Sequence, residues 1–182
     1  SIRSALQAAL SGETLILGPG HFWEDNTDLL INVDVRLVGD TMMPERVIVE
    51  LGNTVRWRAN SGTLVGITLR RPRVYVEATS ALVVHCGRLA CHRVIVDNSG
   101  AGGAAIIVHN GPYISVSLHL RTLCRAQAKY DTLNAGACLH LNHTIVAKAT
   151  ASGIFLQPGA RATLSRCSLV DNGHCGISVA PE

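Results

Sequence analysis

Cysteine, histidine, carboxylate and arginine are the side chains through which this sequence could do chemistry, and their spacing limits what each set can do. Cys86, Cys91 and His92 form a C-x4-C-H string with His85 adjacent, and His140 and His143 form H-x2-H. A zinc site needs four converging ligands, usually drawn from tight cysteine knuckles. In an extended chain neighbouring side chains point to opposite faces, so Cys91 should diverge from His92, and His140 from His143. The expectation is no metal site. Gly100–Ala105 superficially matches a dinucleotide fingerprint, but Ile106–Val108 after it reads as a strand and position 125 is Arg. That motif must open a helix and be followed by an acid about 20 residues on, so no cofactor is expected.

Paired carboxylates would indicate polysaccharide chemistry, which needs two acids about 5 to 9.5 Å apart across the scissile bond. The chain has 13 Asp and Glu, scattered singly, with no Asp-Asp pair. Asp97 and Asp171 precede Asn98 and Asn172 and read as turn residues that bond their own backbone. The expectation is a protein without catalytic residues.

The arginines offer more. Arg56 and Arg58 alternate with Val55 and Trp57, so the arginines should face outward and Trp57 inward. Arg70, Arg71 and Arg73 follow, with Arg88 and Arg93 beyond, and Glu50 and Glu77 are the only acids between positions 46 and 96. Arginine suits bidentate contacts with carboxylate or phosphate. Arg56, Arg58, Arg70, Arg71 and Arg73 are therefore the expected binding patch, and its partner a protein with an acidic segment.

Composition bounds the scaffold. The 182 residues amount to a single domain, 47% hydrophobic, 4% aromatic and with net charge +3. Mean hydropathy is +0.25 and the isoelectric point about 8.6. Disorder is excluded by the hydrophobic content, and a dedicated nucleic-acid surface by the mild charge. No apolar run reaches the roughly 20 residues of a membrane span. The six cysteines read as small buried hydrophobes of a reducing compartment, which places the chain in the cytoplasm. Ser1 is not Met, and the chain reads as a fragment of a longer one.

Ile2, Leu6, Ala9 and Leu10 recur at helical spacing before Gly12, predicting a helix over residues 1–11. From Glu13 onward short β runs alternate with Gly, Asn, Asp and Pro. They include residues 35–38, 64–69, 74–76, 94–96, 114–120, 139–141, 154–156 and 177–179. An internal repeat is the strongest signal. Leu141 to Leu164 and Gly153 to Gly176 span one and the same interval, about 23 residues, within the range of repeat architectures. An earlier copy starts at Cys91. Two or three strands in such a unit suit one coil of a parallel β-helix, with strands stacked at about 4.8 Å. Val94, Thr144 and Cys167 should form one inward column, and Val96, Val146 and Leu169 another. The gap between the copies at 91 and 141 leaves room for an irregular coil, giving about seven in all. On that count Asp97 and Asp171 lie about three coils, or ~14 Å, apart.

Residues 1–10, Gly12-Glu-Thr-Leu-Ile-Leu-Gly-Pro-Gly20 and Val35-Arg-Leu-Val-Gly39 resemble the opening of a right-handed parallel β-helix of the pectin-lyase-like class. The stretches at 152–160 and 167–179 resemble coils of its carbohydrate-binding and sugar-hydrolase (CASH) repeat group. The likeness extends to its intracellular members, the F-box-only β-helix proteins and the SHC-binding, spindle-associated proteins. It implies an all-β solenoid over 1–182 with an N-terminal capping helix. It also implies a non-catalytic recognition scaffold, either the substrate-binding part of a ubiquitin ligase or a signalling adaptor. A carbohydrate-active enzyme, or a subunit of a large assembly, is the alternative. The C-terminal end, lacking a cap, is expected to be covered by further coils or another chain.

Overall fold

The computed structural model describes residues 1–24, 27–71, 80–99, 102–109 and 137–181. Helix α1 (Ile2–Ala8) is capped by the Ser1 side chain, which accepts from the Ser4 amide, and it buries Ile2 and Leu6. Three coils follow, each of three strands. They are β1 (Glu13–Ile16), β2 (Gly20–Glu24) and β3 (Leu29–Ile31); β4 (Val35–Val38), β5 (Val47–Leu51) and β6 (Val55–Trp57); and β7 (Ser61–Val65), β8 (Thr68–Arg70) and β9 (Leu82–Val84). Three more complete the stack: β10 (Arg88–His92), β11 (Ile95–Asp97) and β12 (Ile106–Val108); β13 (Cys138–Asn142), β14 (Ile145–Ala147) and β15 (Ile154–Leu156); and β16 (Arg161–Ser165), β17 (Ser168–Val170) and β18 (Ile177–Val179).

Every strand pairs in parallel with the equivalent strand of the next coil, giving three six-stranded sheets. Sheet A runs β1-β4-β7-β10-β13-β16, sheet B β2-β5-β8-β11-β14-β17 and sheet C β3-β6-β9-β12-β15-β18. The molecule is a right-handed parallel β-helix with an N-terminal helix. No helix among the described residues is long and apolar enough to cross a membrane.

The register pairs Glu13–Val35, Arg36–Thr63, Ser61–Arg88 and Cys138–Arg161 define ordinary coils, about 22 to 27 residues each. The fourth coil is different. Arg88 pairs directly with Cys138, and β11 and β12 likewise pair with β14 and β15. No coil fits between them, so the described residues form six coils rather than the expected seven. The added length, residues 110–136, connects β12 to β13. The expected runs at 74–76 and 114–120 lie outside the described residues.

Alternation sets the core. Phe22, Val49, Leu69, Val96, Val146 and Leu169 are in register as one inward column of sheet B. Val94 and Thr144 are fully buried and Cys167 packs against the core, as the repeat predicts. The run 64–69, expected as one strand, is two, because Gly66 turns the chain at φ +59°. Arg93, His143 and Arg166 take the same left-handed conformation, at φ 51°, 49° and 53°. One such residue thus makes the corner between sheets A and B in coils three to six. A side chain there is less comfortable than glycine but remains outside the core.

The sequence does not reveal how the helix is fastened. Glu24, 3% exposed, accepts from the Ile2 amide at 2.8 Å, and its other oxygen lies 3.9 Å from Arg3 Nε. Farther along, Trp57 is wholly buried, donates from Nε1 to the Ala59 carbonyl at 3.1 Å and fills the space above Gly62. Trp57→Ala should cost about 3–5 kcal/mol, the usual loss for emptying a large aromatic site. Urea unfolding at equilibrium measures it, and a loss under about 1 kcal/mol would contradict the packing.

Candidate functional site: the outer face of sheet A

The structure does not assemble the expected arginine patch. Arg56 and Arg58 do point outward around buried Trp57. However, Arg56 lies in sheet C, where it stacks between Leu30 and Val83, whereas Arg70 lies in sheet B between Glu50 and Asp97. Positions 56 and 70 are half a coil apart, and only a full coil brings side chains into one column. Acids from other coils also neutralise the two. Asp28 forms an ion pair with Arg56. The Asp97 carboxylate lies 3.8 Å from Arg70 Nε and 3.1 Å from Lys148 Nζ. Arg71 is 2% exposed, contrary to expectation. Arg70 faces out toward Asp97, so strand alternation turns Arg71 inward. Arg73 lies outside the described residues.

The carboxylates are also arranged differently from the expected spacing. Asp97 is in register with Ala147 and then Val170, so Asp171 follows two coil steps away, not three. Asp97 is more than a turn residue. Besides its two cations, it accepts from the Ser99 amide at 3.1 Å and from the Ser99 hydroxyl. Asn172 does behave as a corner residue, accepting from the Ala149 amide at 3.1 Å and donating to the Val146 carbonyl at 3.3 Å. Cys91 points into the core and His92 away from it. Among the described residues no three His, Cys, Asp or Glu side chains are grouped to hold a metal.

Sheet A gathers what the patch does not. Arg88, Cys138 and Arg161 are consecutive in register, each step about 4.8 Å. Farther along the same strands, the next outward column is Ala90, His140 and Thr163, and the one after it His92, Asn142 and Ser165. Arg93, His143 and Arg166 follow at the corner. Arg36, on β4, extends the basic character toward the N-terminal coils. Glu13, in the first strand, is the only acid in the six strands. The exposed guanidinium groups of Arg88 and Arg161 flank Cys138, which is itself fully buried. Arg88 also hydrogen-bonds the Cys138 thiol. Burial pushes that thiol up to about 11, against the opposing pull of the two arginines, so it is uncharged at neutral pH.

His140 and His92 on this face are held toward the neutral form. Burial lowers His140, and Arg88 lowers it further. Burial likewise lowers His92, followed by His143 and Arg93. The His92 and His143 rings meet edge-on at 5.7 Å, and Arg166 Nη1 lies 3.3 Å from His143 Nε2. The arginines therefore supply the charge near neutral pH. The sequence could not reveal this face, because Arg88 and Cys138 are remote along the chain and become neighbours only through the direct pairing of β10 with β13.

Two other places contain titratable or polar groups without a catalytic geometry. At the end of sheet C the His85 and His109 rings stack at 4.6 Å with a 12° interplanar angle. Arg56 Nη1 lies 3.2 Å from His85 Nε2. A cleft of about 310 Å³ beside α1 is lined by Arg3, Leu6, Gln7, Leu30, Asn32 and Val33, none of which is an acid or a nucleophile. No family model, curated protein or solved structure matches the chain.

Burial first, then His109, Arg58 and Arg56, lower His85 to about 4. Its folded value is thus below the unfolded value of about 6.5, so the unfolded chain binds more protons between those limits. Stability should fall as pH drops from 6.5 toward 4. His85→Gln should flatten the decline, measured by urea midpoints across that range. An unchanged slope in the variant would rule His85 out as the source.

Proposed function

We propose that the protein is a non-catalytic recognition scaffold that captures an acidic protein segment on the outer face of sheet A. The observation that carries this reading is the Arg88–Cys138–Arg161 column, with no acid on any sheet A strand after β1. Arg56 and Arg70 are met by Asp28 and Asp97 from another coil, whereas no strand of sheet A after β1 carries an acid. Guanidinium groups bind carboxylates in a bidentate fork, and a flat sheet lets several act together.

The choice of partner follows from what the face lacks. None of its strands carries Phe, Tyr or Trp. Single-stranded nucleic acid uses aromatic platforms to stack bases. Carbohydrate recognition by stacking would also need aromatic platforms here. The sequence resemblance agrees with a scaffold role in the cytoplasm, as a substrate-binding part of a ubiquitin ligase or a signalling adaptor.

The test is capture of a Glu-rich peptide by the protein and two variants. The double variant Arg88→Glu, Arg161→Glu should lose capture, and Arg56→Glu, Arg58→Glu should retain it. Raising salt should weaken capture by the parent protein through screening. Exposed substitutions usually change stability within about ±0.5 kcal/mol, so melting curves serve as the folding control. Capture undiminished in the first variant, or transferred to a sulfated glycan with the peptide ignored, would overturn the reading.

A further inference from the structure

One polar strap runs lengthwise through five coils at the end of sheet C. Asp28, just before β3, forms an ion pair with Arg56 on β6. Arg56 Nη1 lies 3.2 Å from Nε2 of His85, just after β9. The His85 ring stacks at 4.6 Å on that of His109, just after β12. His109 in turn hydrogen-bonds Gln157, just after β15. Backbone pairing repeats at the same positions. The amides of His85, His109 and Gln157 donate to the carbonyls of Trp57, Val84 and Val108, each one coil earlier. The Ala137 amide, at the start of coil five, donates to the His109 carbonyl at 3.1 Å.

The strap holds in one protonation state only. A guanidinium donates and cannot accept, so His85 Nε2 is the acceptor and the ring proton sits on Nδ1. A proton added at Nε2 would set two donors against each other and break the link to Arg56. The charged and titratable groups facing His85 are His109, Arg58, Arg56 and Asp28, with the Cys86 thiol next to it in sequence. Burial pushes that thiol up, so it carries no charge. Asp28 is the one carboxylate in the set and is already held by Arg56. His109 faces Gln157 and Arg56 besides His85, so a second proton would stack one imidazolium on another. We propose that the strap is an acid-sensitive latch: when neutral it ties the sheet C ends of the coils together, and protonation of His85 and His109 parts coils three and four there while sheet A remains paired. Acid acts in the required direction. Burial first, then His109, Arg58 and Arg56, hold His85 down at about 4, and once released it takes a proton at about 6.5. The opened form therefore binds more protons between those limits, and lowering the pH from about 7.5 to about 5 favours it up to about 30-fold.

Amide hydrogen exchange followed by NMR on the full chain, corrected for the intrinsic pH dependence of exchange, tests this. Between about pH 7.5 and about pH 5, protection of the His85, His109 and Ala137 amides should fall about tenfold or more. Protection at Leu89 and Leu139, register partners in sheet A, should change less than about twofold, because local opening leaves other cooperative units closed. His85→Gln, whose side-chain oxygen can still accept from Arg56, should keep its protection in acid. His174→Gln, at an exposed position, should behave as the parent does. An equal fall in sheets A and C would mean general destabilisation and refute the latch. A fall that persists in His85→Gln would remove His85 as its trigger and refute it too. Should His85→Gln fail to fold, the parent's ring resonances decide. At about pH 6, His85 should be neutral with its proton on Nδ1, and a charged ring or a proton on Nε2 contradicts the strap.

Discussion

Registration of coil upon coil is the constraint on which the rest of this molecule depends. Most of its strands in sheets B and C are three residues long, too short to hold together unless each backbone group finds a partner in the coils above and below. Parallel pairing supplies those partners at a repeat of about 4.8 Å. It also fixes each side chain directly over its counterpart in the next coil. Inside, like then meets like, as in the sheet B column from Phe22 through Val96 to Leu169. Outside, the same rule stacks charge over charge, and the sheets resolve this in different ways.

Sheet B alternates sign: Glu50, Arg70 and Asp97 are successive in one column. Sheet A puts an uncharged thiol between two cations, Arg88 and Arg161. The spacer doubles their backbone separation to about 9.6 Å. In water two unit charges at that distance repel by only about 0.4 kcal/mol. A solenoid can tolerate that cost without an acid in the column itself. Sheet B's outer charges therefore act as internal ties, whereas no strand of sheet A after β1 brings an acid into register with Arg88 or Arg161.

What the sequence reveals follows from the same rule. The repeat between Leu141 and Leu164 is uninterrupted, so the solenoid and its inward columns are readable from one copy to the next, and the N-terminal helix is readable from the helical spacing of Ile2, Leu6 and Ala9. Trp57 and its flanking arginines are readable too, because alternation within a strand is local. The patch drawn from Arg56, Arg58, Arg70, Arg71 and Arg73 fails because adjacency in a β-helix requires a full coil, and positions 56 and 70 are separated by only half of one. The neutralising acids come from positions 28 and 97, outside the stretch that holds the arginines. The sheet A face depends on the overlong fourth coil, whose added length no repeat announces.

The direct stacking of β10 on β13 is therefore the claim to test first. Replacing Arg88 with Cys places two thiols at paired positions, since Arg88 and Cys138 are register partners. Adjacent strands hold such Cα atoms at about 4.8 Å, within the range a disulfide can span, roughly 4.4 to 6.8 Å. Mild oxidation of the Arg88→Cys protein followed by peptide mapping should recover a disulfide joining positions 88 and 138. An intervening coil would separate the two by about 9.6 Å, and the absence of that cross-linked peptide would contradict the stacking and the face built on it.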